Sequence, residues 1–165
     1  RGAGRVEFDG FRLDMAESRS RFVEAAQMVL TGLESGHVEF QGDHYQQPRV
    51  AIRPEPFKSF RGRTYAAAVS PESSRIMAEL GIGLLVIPQK PWEHVAREFA
   101  DYKAIYQEVN GEPAHKPIIA AWTIVDEDEQ RAYERAGQYI GGYLQTVLDQ
   151  YEVHKDHGKG QRGHD

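Results

Sequence analysis

The chain contains no cysteine, and only three methionines and two tryptophans among 165 residues. Without a thiol there is no disulfide, no thiolate metal ligand and no cysteine nucleophile. Long apolar runs are missing too: none approaches the roughly 20 residues that a membrane-crossing helix requires. No signal-peptide pattern opens the sequence. Positive charge is in the minority, 20 Lys and Arg against 25 Asp and Glu for a net charge of −5. That balance argues against nucleic acid as the main partner. A protein with neither membrane nor nucleic-acid partners is expected, and cytoplasmic residence fits it.

What is present suits a single folded domain. Hydrophobic residues make up 40% and charged residues 27% of the chain, and the length allows a substantial core. The glycine-rich start at Arg1-Gly2-Ala3-Gly4-Arg5 and the polar end from His154 to Asp165 both read as cut edges. The expectation is therefore an internal piece of a longer enzyme. Residues 1–63 read as an insertion region with a helix and a hairpin, 64–151 as three strand-helix units, and 152–165 as a polar tail.

Within the first region, residues 1–17 read as a connection. Ser18 then caps a helix whose stripe is Phe22, Ala25, Ala26, Val29, Leu30 and Leu33, ended by Gly36. His37–Phe40 and His44–Gln46 flank a Gly42-Asp43 turn and predict a hairpin. Beyond residue 63 the pattern becomes regular. Strands are predicted at Thr64–Val69, Leu84–Ile87 and Ile118–Ile124, with helices at Pro71–Leu80, Trp92 to about Val109, and from near Asp126. The strands are continuously apolar, as in a parallel sheet buried on both faces. Three such strands leave two exposed edges, which a closed (β/α)8 barrel abolishes at a length of about 250 residues. The fold class is thus α/β, a partial TIM barrel, with a doubly wound open sheet as the competing architecture.

Tyr65-Ala66-Ala67-Ala68-Val69-Ser70-Pro71-Glu72-Ser73-Ser74 carries the most chemistry. An apolar strand breaks into a helix with Ser70 as N-cap, Pro71 at the first position and Ser73 beside unpaired backbone N–H groups. Such a helix start can hold an anion, or Ser70 can simply cap the helix. Elsewhere the readings are structural. Asp126-Glu127-Asp128-Glu129 answers a helix dipole better than it builds a metal site. Trp122 and Thr123 end a strand and could approach a substrate, although a Trp there more often packs in the core, and Gly141-Gly142 reads as close packing or a kink against a neighbour, a second subunit included. His154, His157 and His164 belong to the tail, so no metal site is assigned.

The succession Arg1-Gly2-Ala3-Gly4-Arg5-Val6-Glu7-Phe8, Phe40-Gln41-Gly42-Asp43-His44-Tyr45, Arg53-Pro54-Glu55-Pro56, Ala66 through Ser74 and Ala78-Glu79-Leu80-Gly81 resembles the luciferase-like flavin monooxygenases. The resemblance covers nearly the whole chain. It implies the fifth to seventh barrel strands, with an inserted hairpin after the first helix. It also implies a reduced flavin, either FMN, with oxygen insertion into a small organic substrate, or the deazaflavin F420, with hydride transfer. The flavin phosphate would be held by Arg1 with Gly2 and by the loop at Val69, Ser70 and Ser73. Val69 departs from the luciferases, which carry an acidic residue there. A homodimer and a flavin reductase partner follow from the same resemblance, as does inactivity of the piece alone. A non-catalytic flavin-binding or subunit-partner protein is the reading from another class. The catalytic residues are not legible.

Overall fold

The computed structural model describes residues 4–68, 70–88 and 90–150. Two compact units divide the chain, Arg19–Ala120 and a second made of residues 1–18 with 121–165. The larger unit opens on helix α2 (Ser18–Ser35), which follows helix α1 (Arg5–Phe11) and a 3-10 turn at Met15–Glu17. Phe22, Ala26 and Leu30, four residues apart, turn the same face of α2 onto the core. Val29, placed in the stripe by the sequence, is instead half-exposed. Gly36 ends the helix at φ +72°, a left-handed position that glycine takes without steric cost.

The hairpin follows as strands β1 (His37–Gln41) and β2 (Gln46–Ala51), antiparallel with His37 opposite Ala51 and Gln41 opposite Gln46. Its second strand is later and longer than the sequence suggests, because the turn takes residues 42–45. That turn is fixed from α2. The Glu24 carboxylate accepts backbone N–H bonds from Asp43 at 2.9 Å, His44 at 2.9 Å and Tyr45 at 3.1 Å. Ser20 Oγ and His44 Nε2 add a 2.7 Å contact. Gly32 of α2 lies so close to this region that a Cβ would stand 2.6 Å from Val38 Cγ2 and 2.8 Å from Ile52 Cδ1.

The strand-helix region gives a three-stranded parallel sheet in the order β3 (Tyr65–Ala67), β4 (Gly83–Val86), β5 (Ile118–Ile119). Helices α3 (Pro71–Glu79) and α4 (Trp92–Asn110) complete the core. Met77 and Ala78 of α3, Leu84 and Val86 of β4, and Val95, Tyr102 and Tyr106 of α4 are all buried together. The Tyr102 hydroxyl donates to Ile82 O at 2.8 Å, and burial drives its pKa well above the usual 10. Phe99 packs against this core beside Tyr102 and Tyr106, while Trp92 at the start of α4 is half-exposed.

The third strand departs from expectation. Only Ile118 and Ile119 pair, and they are 45% and 44% exposed. Among the described residues no strand pairs with the far edge of β5, so residues 120–124 have no ladder to join beyond the bond from Ala120 N to Val86 O. Strand β4 carries the burial that its composition suggests, with Gly83, Leu84 and Val86 buried and Leu85 partly so, whereas β3 and β5 on either side are part-exposed.

In the smaller unit, residues 5–11 form a helix where a connection was expected. Arg5 and Asp9 pair one turn apart at 3.3 Å, and Arg12 closes the helix in the left-handed region. Helix α5 (Glu129–Gln150) is capped by Asp128, whose Oδ1 accepts from Arg131 N at 2.7 Å. Asp126 binds Arg131 and, at 2.8 Å, Arg135. Its carboxyl is held below the usual 3.8, chiefly by the Arg131 hydrogen bond. The acidic run therefore starts a helix. Trp122 is not core; it is 45% exposed and meets the Tyr143 ring at a tilt of 45°, ring centroids 5.4 Å apart. Among the described residues a Cβ on Gly141 or Gly142 would meet nothing within 4 Å, so packing within this unit does not require either glycine. The histidine tail lies outside the described residues.

Candidate anion site at the start of helix α3

Strand β3 delivers the chain to Ser70, whose φ −120° and ψ 153° keep it extended while the helix begins at Pro71. Pro71 supplies no N–H and its fixed φ suits the first position. Ser70 Oγ accepts from Ser73 N at 3.2 Å and donates to Ser73 Oγ at 3.0 Å. The structure therefore brings Ser70 and Ser73 together, with Ser70 committed to the cap. In this chain of bonds the Ser73 hydroxyl proton is the one left for an incoming acceptor. Arg1, Gly2 and Val69, the other expected binding residues, lie outside the described residues.

A cation missed by sequence reasoning reaches this helix start. Arg19, in the first turn of α2, donates from Nη1 to Glu72 Oε1 at 2.5 Å, and Glu72 is the second residue of α3. The Arg19 side chain is 21% exposed. Its Nε and Nη2 are buried and have no hydrogen-bond partner among the described residues. These two nitrogens form one edge of the guanidinium, with parallel N–H bonds spaced for the two oxygens of a carboxylate or phosphate. An unpaired buried donor costs about 1–3 kcal/mol, more when charged. Such an edge is what an oxyanion would satisfy.

A signal for Arg19 does exist in the sequence. The first turn of α2 has no acid and carries Arg19 and Arg21, the wrong charge for the positive end of a helix dipole. A basic residue kept there against that preference points to a task outside its own helix.

Comparison with known proteins identifies the family. The family model for luciferase-like monooxygenases matches residues 1–165, and the chain belongs to that family. It is 24% identical over 170 residues to the alkanal monooxygenase alpha chain of Aliivibrio fischeri, covering 100% of this chain and 46% of that protein. The monooxygenase RslO1 of Streptomyces bottropensis superposes with a TM-score of 0.81 at 23% identity, over 94% of this chain and 48% of that one. A coenzyme F420 dependent tetrahydromethanopterin reductase of Methanopyrus kandleri follows at TM-score 0.53 and 19% identity, over 90% and 46%. The chain spans about half the length of the relatives it matches, and the likeness to both structures is one of fold. Among the described residues no helix is long and apolar enough to cross a membrane.

Proposed function

We propose that these residues form the phosphate-binding half of a flavin-dependent (β/α)8-barrel monooxygenase that uses reduced FMN and oxygen on a small organic substrate. The supporting observation is the buried Nε–Nη2 edge of Arg19, unpaired among the described residues, on a guanidinium that meets the capped start of α3 through Glu72. The residues fit the group. Arg19 offers two charge-assisted donors, Ser73 a hydroxyl, and α3 the positive end of its dipole. Hydrogen bonds to a charged group contribute about 1.5–3 kcal/mol each, against about 0.3–2 kcal/mol for the dipole. Arg19 therefore dominates, with Arg1 and Gly2 and the Val69 backbone as further proposed contacts. When bound, the flavin ring supplies the redox chemistry; these residues anchor its phosphate and so fix where the ring lies. A homodimer and a separate flavin reductase belong to the same proposal.

An F420-dependent hydride-transfer enzyme is the second reading, favoured by the likeness to the Methanopyrus kandleri reductase. Calorimetric titration of the full-length protein with FMN, riboflavin and F420 tests both, with NADH-coupled oxygen uptake following turnover. FMN binding at least about 10²-fold tighter than riboflavin, with oxygen uptake that requires FMN, supports the first reading. Tight F420 binding without oxygen uptake supports the second. Equal affinity for FMN and riboflavin refutes phosphate recognition altogether.

A further inference from the structure

We propose that Glu72 is a positioning residue that acts through Arg19, setting the guanidinium so that its two-pronged edge faces an oxyanion. The inference rests on the flavin-phosphate reading above and concerns how that site is prepared. An arginine carries five N–H donors in a rigid plane, and any carboxylate nearby can engage either the Nη1–Nη2 end or the Nε–Nη2 edge. Glu72 takes Nη1 alone. Its bond leaves Nε and Nη2 together, both buried and both unpaired among the described residues. A carboxylate that had taken the edge would have closed the site; one that takes the far corner holds the plane and leaves the edge open.

The placement follows from the cap. Pro71 and Ser70 fix the entry of α3, so Glu72 stands in its first turn with its side chain half-exposed and reaching α2. A negative charge there also suits the dipole of its own helix. Arg19 in turn starts a helix that is held to the hairpin by Glu24. Both ends of the ion pair thus sit on anchored backbone. Holding one long side chain ready removes much of the ordering cost otherwise charged to binding, about threefold to tenfold in affinity.

The test compares Glu72→Ala, Glu72→Gln and wild type in the full-length protein, titrated with FMN and with riboflavin. Glu72→Gln keeps an oxygen for Nη1 and should bind FMN within about threefold of wild type. Glu72→Ala should lose about threefold to tenfold in FMN affinity with riboflavin unchanged. If Glu72→Ala does not fold, Glu72→Asp, which withdraws the carboxylate by one methylene, should show the same selective loss. Unchanged or tighter FMN binding by the folded alanine or aspartate variant would make Glu72 a bystander or a repulsive neighbour and overturns the proposal. An equal loss of riboflavin would show a role in the fold and overturns it as well. Failure of wild type to prefer FMN over riboflavin would instead strike the underlying phosphate reading, so the two failures are distinguishable.

Discussion

Replacing Arg19 by methionine should raise the stability of the ligand-free protein while destroying its response to FMN. Two buried guanidinium nitrogens lack partners among the described residues, and each such donor costs about 1–3 kcal/mol. Methionine has similar length, no donors, and adapts to irregular spaces. What the substitution removes is the pair with Glu72, which is half-exposed and so contributes about 0–1 kcal/mol. The balance favours Arg19→Met by about 1 kcal/mol or more, which in a chain of this size raises Tm by about 2–4 °C per kcal/mol. With FMN the order reverses. Saturation at 100 times Kd stabilises wild type by about 2.7 kcal/mol, and the variant, lacking two charge-assisted bonds, should bind about 10²-fold or more weakly. Thermal melts with and without FMN, and with riboflavin as control, therefore cross. An Arg19→Met protein that melts below wild type without ligand, yet keeps its FMN shift, would show that the guanidinium serves the fold and not an anion.

Further outcomes follow from single contacts. Glu24 and Glu34 are both held below the usual 4.5. For Glu24, burial raises the carboxyl but the N–H bonds from His44, Asp43 and Tyr45 outweigh it; for Glu34 the Ser59 hydroxyl is the main cause. A lowered folded pKa stabilises above the unfolded value and is lost as pH falls through the folded one, so urea midpoints should hold above about 4.5 and fall below it. Glu24→Gln should flatten that acid-side decline, and an unchanged decline would refute the assignment. Gly32→Ala should destabilise by about 1–3 kcal/mol through overpacking against Val38 and Ile52, read by denaturant unfolding; a neutral result would mean that α2 and the hairpin are less closely packed than their contacts show. Ser70→Ala should cost about 1 kcal/mol through loss of the cap, and Ser70→Gly only a few tenths; equal losses would refute capping as the cause.

Local signals carried most of the fold. Ser70-Pro71 marks a helix start because cap and first-turn chemistry act within three residues, and Gly36 marks a helix end for the same reason. The hairpin was legible in place but not in register, since its turn is set by Glu24, some twenty residues away. Strand 118–124 was overestimated because apolar composition reports a tendency to be covered, whereas a ladder requires a partner. Residues 5–11 read as a connection because their flanking glycines mask a helix that one i,i+4 ion pair supports.

The candidate site divides along the same line. Ser70 and Ser73 are neighbours in sequence and were found together. Arg19 and Glu72 are separated by 53 positions, and neither residue alone is unusual on a surface rich in both types. Their meaning arises only when the fold sets one against the other and buries part of the guanidinium without satisfying it. A sequence records the cost of that arrangement faintly, as a basic residue at the wrong end of a helix dipole. The structure shows it directly, as two aligned donors that no described residue of the chain satisfies.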